Sequence, residues 1–141
     1  MRTARMLGLC QVTLFSLFCL GCQRGPAPLM PVTGKVTYKG YALQSGAIVF
    51  TPDANAGASG PIAHGKINSD GSFHLFAGEA PGAPAGKYRV SVTSYGSALV
   101  SNVPFNAPSS VLPDKYSDPQ LSGLVCEVQP NRANSFDIKL D

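Results

Sequence analysis

Ile62-Ala63-His64-Gly65-Lys66-Ile67-Asn68-Ser69-Asp70-Gly71-Ser72-Phe73-His74-Leu75-Phe76 contains two apolar-and-polar runs flanking Ser69-Asp70-Gly71. A two-residue loop at Asp70-Gly71 would pair Ile67 with His74, setting a core residue against a solvent residue. A three-residue loop pairs Ile67 with Phe73, Lys66 with His74 and His64 with Phe76, and every pair then shares a face. That loop needs a left-handed residue, and Gly71 stands where one is required. The stretch therefore reads as a β-hairpin with Gly71 at positive φ.

The same period of two runs outward in both directions. In Val32-Thr33-Gly34-Lys35-Val36-Thr37-Tyr38 one face carries Val32, Val36 and Tyr38, the other Thr33, Lys35 and Thr37. Ile48 and Phe50 share a face within Ala47 to Thr51. From Lys87 to Thr93, Tyr88, Val90 and Val92 point inward while Lys87, Arg89, Ser91 and Thr93 point outward. Leu124, Cys126 and Val128 align next, followed by Phe136, Ile138 and Leu140. Each run ends on Gly, Pro, Asn or Asp, which supply turn geometry. About seven short strands in roughly 110 residues predict an all-β, seven-stranded antiparallel sandwich of immunoglobulin-like type.

Val32-Thr33-Gly34-Lys35-Val36, Gly46-Ala47-Ile48-Val49-Phe50, Asp70-Gly71-Ser72-Phe73 and Pro84-Ala85-Gly86-Lys87-Tyr88-Arg89-Val90 resemble the successive strand-and-turn signatures of the carboxypeptidase regulatory-like (prealbumin-like, transthyretin-like) β-sandwich. Pro113-Asp114-Lys115-Tyr116 and Ser122-Gly123-Leu124 are similar to elements preceding the last two strands in small lipoproteins of planctomycete-type bacteria. The resemblance covers about Val32 to Asp141. It implies an accessory or interaction module without catalysis of its own, and it supplies no functional residue.

The chain is 141 residues long, 44% hydrophobic and only 13% charged, with 15 Gly and 12 Pro. One domain of strands and turns fits those totals. The formal charge is +3, but Arg2 and Arg5 lie in the first few residues; without them nine Lys and Arg stand against eight Asp and Glu. No basic stripe remains, which argues against a nucleic-acid partner. Met6 to Leu20 is apolar but interrupted by Gln11, Thr13 and Ser16. As a helix it reaches about 22 Å, short of the roughly 30 Å hydrocarbon core, so it reads as the h-region of a signal peptide. Cys19-Leu20-Gly21-Cys22 resembles a bacterial lipobox, in which the Cys receives lipid and becomes the new N-terminus. Gly21 and Cys22 match that pattern, whereas Cys19 stands where Leu is usual.

The expected organisation is therefore a signal peptide over residues 1–21, a lipidated Cys22 with a Pro-rich tether over 22–31, and the sandwich over 32–141. Cleavage of an ordinary secretory signal near Gly25 to Ala27 is the alternative. A polyproline-II tether would give a stand-off of roughly 25–30 Å. In a Gram-negative cell, Gln23 after the lipidated Cys lacks the Asp of inner-membrane retention, which points to the outer membrane.

Chemistry-bearing residues are few. Of the four cysteines, Cys10 and Cys19 belong to the discarded segment and Cys22 to its edge. Cys126 is left without a disulfide partner, and alternation turns it inward as a small hydrophobe. His64 and His74 are a diagonal pair on one outward face, opposed by Lys66 and lacking further zinc ligands. Asp53-Ala54-Asn55 and Asp114 to Asp118 lack calcium-loop spacing. Catalytic residues, metal ligands and cofactors are accordingly read as none. Tyr38, Lys39 and Tyr41 could form a carbohydrate-stacking edge, although Tyr beside a hairpin turn is more often ordinary packing.

Ser97 to Ser122 carries four prolines over 26 residues and alternates only near Leu99 to Phe105. It reads either as an edge strand at Leu99 to Val103 with a crossover pinned by Val111, Leu112 and Tyr116, or as a partner-binding loop. The expected function is a membrane-anchored envelope lipoprotein presenting a structural or protein-interaction module. A carbohydrate- or small-ligand-binding lipoprotein is the alternative.

Overall fold

A computed structural model describes residues 25–95 and 110–141. Cys22, the signal segment and the expected edge strand at Leu99 to Val103 lie outside these residues. The described chain is all-β, and no helix in it is long and apolar enough to cross a membrane.

The strands are β1 (Leu29–Met30), β2 (Val32–Tyr38), β3 (Tyr41–Ala42), β4 (Gly46–Pro52), β5 (Ala63–Ile67), β6 (Ser72–His74), β7 (Phe76–Ala77), β8 (Ala80–Pro81), β9 (Ala83–Pro84), β10 (Gly86–Thr93), β11 (Leu124–Val128) and β12 (Asn134–Leu140). Seven of them form a curled sheet in the order β11-β10-β4-β5-β6-β2-β12, consistent with a β-sandwich. Along this path the pairings are antiparallel except the last, where β12 runs parallel to β2. Alternation along each strand cannot distinguish these directions, because both place every second residue on the same face.

The inward residues meet in one core. Phe50 sits at its centre, with ring centroids 6.3 Å from Phe73, 5.8 Å from Tyr88 and 5.8 Å from Phe136. Gly34 makes room for this cluster. A Cβ there would lie 2.6 Å from the Phe73 ring and would strike the Phe136 carbonyl. Tyr88 is buried, yet its hydroxyl donates to the Pro84 carbonyl at 2.8 Å. Such a backward bond from a buried Tyr to nearby backbone recurs in β-sandwiches.

The β5–β6 hairpin adopts the predicted register, with Ile67 opposite Phe73, and β7 continues it with His64 opposite Phe76. Gly71 has φ 84°, and its N–H donates to the Asn68 carbonyl while the Asn68 N–H donates to Ser72. The strand begins at Ala63, leaving Ile62 exposed.

Three details differ from the sequence reading. Leu29 and Met30, at the end of the expected tether, pair with Pro84 and Ala83 and so lie against the domain. Ser91 has outward parity but is only 7% exposed. Beyond Val90 the chain from 110 to 122 replaces β11 beside β10: Ser122 Oγ donates to the Val90 carbonyl and the Val111 N–H to Ser94. In that segment Leu112 and Tyr116 are buried as expected, whereas Val111 is 45% exposed.

β2 runs about 23 Å from end to end at 3.3 Å per residue. Leu29–Met30 enters at the start of β2. The β2–β3 turn, Tyr95 and the chain end at Asp141 follow strands that run to the opposite end.

Candidate functional site

A hollow of about 610 Å³ lies over the outward side of β6, β2 and β12. Two cross-strand rows build it. Ser135 faces Thr33, which faces His74; Asp137 faces Lys35, which faces Ser72. Asp70 borders the second row from the hairpin loop. The parallel β2–β12 pairing brings Ser135 and Asp137 to this face, and no local pattern in either segment announces it.

Hydrogen bonding within the hollow limits its chemistry. The Asp70 carboxylate accepts from Ser72 Oγ at 2.6 Å and from the Ser72 N–H at 2.9 Å. These bonds, aided by the Lys35 charge, lower the Asp70 pKa below its ordinary value. The Ser72 hydroxyl proton is thereby directed at a carboxylate, away from His74. The face offers hydroxyls, a histidine and a lysine between two carboxylates, suited to hydrogen-bonding a polar ligand. A nucleophile needs a base able to take its proton, and Asp70, its pKa lowered, is a weak one.

His64 and His74 both lie exposed, on the outward face predicted for them. Among the described residues no three His, Cys, Asp or Glu side chains come together as metal ligands. Asp53 is occupied otherwise. One oxygen accepts the Asn55 N–H at 3.1 Å, and the other lies 3.2 Å from Arg89 Nε, close enough for an ion pair but off line for a hydrogen bond. Asp118 accepts the Gln120 N–H, and Asp114 begins a 3-10 turn over Asp114–Ser117. That turn places the Tyr116 hydroxyl against the Asp141 backbone.

Cys126 is 8% exposed, faces the core with Val128 and stands opposite Tyr88 in register. Burial pushes its thiol pKa up to about 11, the opposite of what an activated nucleophile requires.

At the end of the domain opposite Leu29, Lys39 and Gly40 adopt φ 49° and 83° and close a two-residue hairpin that pairs Tyr38 with Tyr41. Both central residues at positive φ fit the tight turn that matches strand twist. Lys39 Nζ lies 5.2 Å from the Tyr38 ring centre, and Tyr41 is 80% exposed. Tyr95, 56% exposed, and Val111 border a nearby cleft of about 500 Å³ that also includes Leu43 and Ser94. Alternation did not identify Tyr95 and Val111 as surface residues, because they lie where the strand has ended.

The chain matches no family model, no curated protein and no solved structure.

Proposed function

We propose that this chain is a membrane-anchored cell-envelope lipoprotein whose carboxypeptidase regulatory-like β-sandwich acts as a non-catalytic interaction module. The observation that carries this reading is the polarity of the domain. The chain from the proposed anchor enters beside Ala83–Pro84, and Tyr41, Tyr95 and Val111 are exposed at the far end. A lipid at Cys22 would hold the entry end toward the membrane and turn those side chains away from it. Exposed aromatic residues suit protein contact, since they combine a large apolar surface with a polar tip.

The test has two arms. Mass spectrometry of the membrane fraction is expected to find an acylated N-terminal Cys22, and Cys22→Ser is expected to accumulate as uncleaved precursor. A photo-crosslinker at position 41 or 95 is expected to trap an envelope protein, while one at position 81 traps little. A soluble, unmodified chain beginning near Ala27 would overturn the anchor. Equal trapping at both ends would overturn the distal interface.

The exposure of Tyr41 beside Lys39 also favours a second reading, a carbohydrate-stacking edge. Binding on a glycan array that Tyr41→Ala abolishes would select it.

A further inference from the structure

We infer that the end of the domain where the chain enters is itself a lipid-contacting surface, with Ile62, Phe76 and Pro81 settled at the interface of a zwitterionic bilayer. The inference rests on the reading of Cys22 as the lipid anchor. β6 ends with His74 opposite Thr33, and the Leu75 N–H donates to the Val32 carbonyl, so the chain reaches Phe76 at the entry end of β2. Phe76 faces His64 on one side and Pro81 on the other, and directly opposed residues share a face. Ile62 immediately precedes Ala63, which faces Ala77, and so stands at the same end. Ile62, Phe76 and Pro81 are all exposed.

The length of the tether says what covers these side chains. A Cβ on Gly82 would lie 3.4 Å from the Leu29 Cβ, so the tether reaches the domain beside Pro81. Cys22 precedes Leu29 by seven residues, and seven residues extend to about 25 Å at most. Lipid on Cys22 therefore holds the patch against the bilayer at a high effective concentration, which no partner arriving from solution shares. Exposed apolar side chains gathered in one place mark such contacts, and an aromatic ring suits the boundary between headgroups and acyl chains. Charge selects the lipid. Glu79 in the β7–β8 turn and Arg132 in the corner beside Met30 are exposed and opposite in sign. Lys87 faces Glu127 across the β10–β11 ladder, and Arg89 is paired with Asp53. Among the described residues this end thus has no basic cluster to draw anionic headgroups, which would need several Lys or Arg together.

The protein contains no Trp, so Phe76→Trp introduces a single fluorescent reporter. The variant, purified from membranes, is reconstituted into phosphatidylcholine vesicles with plain or brominated acyl chains. At the roughly 5–10 Å depth of an interfacial contact the indole comes within range of the bromines, and its emission is expected to fall by about twofold. Tyr41→Trp, at the opposite end, is expected to change little. Ile62→Asp in the Phe76→Trp background is expected to abolish the quenching while the lipid still holds the chain on the vesicle. All three positions are exposed, and thermal unfolding checks that each variant remains folded. An acylated, vesicle-bound chain whose indole at position 76 is not quenched would overturn the inference and leave the anchor standing. Quenching that survives Ile62→Asp, or that is equal at position 41, would overturn it as well, because proximity through the tether alone would account for it. A Cys22 without lipid in mass spectrometry would overturn the anchor and this contact together.

Discussion

The β5–β6 and β11–β12 connections are nearly the same length but produce opposite outcomes. Residues 68–71 fold two strands back onto each other, whereas residues 129–133 carry the chain away from β11 and deliver β12 to β2. The first connection is closed by its own backbone and by Asp70, with Gly71 in the left-handed region. The second is governed by Asn134. Its buried amide accepts the Gln129 N–H at 2.8 Å and donates to the Gln129 and Arg132 carbonyls at 3.1 and 3.0 Å. Asn131 adopts φ 60° within this corner, and its N–H contacts Met30 Sδ at 3.1 Å. Loop length alone thus does not decide whether consecutive strands pair; the partners of the loop's polar groups do.

The largest effect is expected at the hairpin. Gly71→Val places a β-branched residue at φ 84°, with its Cβ 2.7 Å from the Val36 carbonyl. A loss of about 3 kcal/mol in chemical denaturation follows from the combined strain and overlap. Little change would mean that the loop can adopt another register.

The corner comes next. Asn134→Ala removes three hydrogen bonds that hold the corner, costing about 2 kcal/mol. Hydrogen exchange should rise at β12 and β2 while the β5–β6 hairpin stays protected. Faster exchange at the hairpin as well would show that the two connections are not independent.

Cys126→Ala probes the strand preceding that corner and should cost about 1 kcal/mol. The native thiol should react slowly with a maleimide at neutral pH and rapidly after denaturation. Because folding raises the thiol pKa from 9.0 to about 11, its contribution is complete below about pH 9. That contribution is lost as pH rises toward 11, and Cys126→Ala should abolish this alkaline loss. Fast native labelling at neutral pH would contradict the buried placement.

The smallest effect belongs to Asp70. Its pKa is lowered on folding, so its contribution is present above the ordinary value of 3.8 and is lost as pH falls further. Urea titrations below pH 4 should show a slight acid destabilisation that Asp70→Ala removes. An unchanged acid profile would separate the loop geometry from the carboxylate.

Much of the core was legible before any coordinates. Ile67 and Phe73, Tyr88 and Val90, and Cys126 and Val128 face inward as their alternation requires. The hollow beside His74 was not legible, because Asp137 reaches Lys35 only through the parallel pairing of strands about a hundred residues apart. Ser91 was misread for a related reason: alternation separates the two faces of a strand but does not say whether each is covered.

By itself, the sequence determined the seven strands of the main path, most of their inward faces and the β5–β6 register. These depend on a two-residue period and on whether Gly71 can occupy a left-handed turn, which are local steric properties. Only the tertiary structure decided that β12 leaves β11 for β2, that Leu29 and Met30 dock beside Ala83–Pro84, and that Ser91 is buried. Those outcomes depend on which distant groups satisfy the corner and the strand edges. Backbone hydrogen bonding is chemically the same at every residue, so the neighbour is chosen by long-range packing.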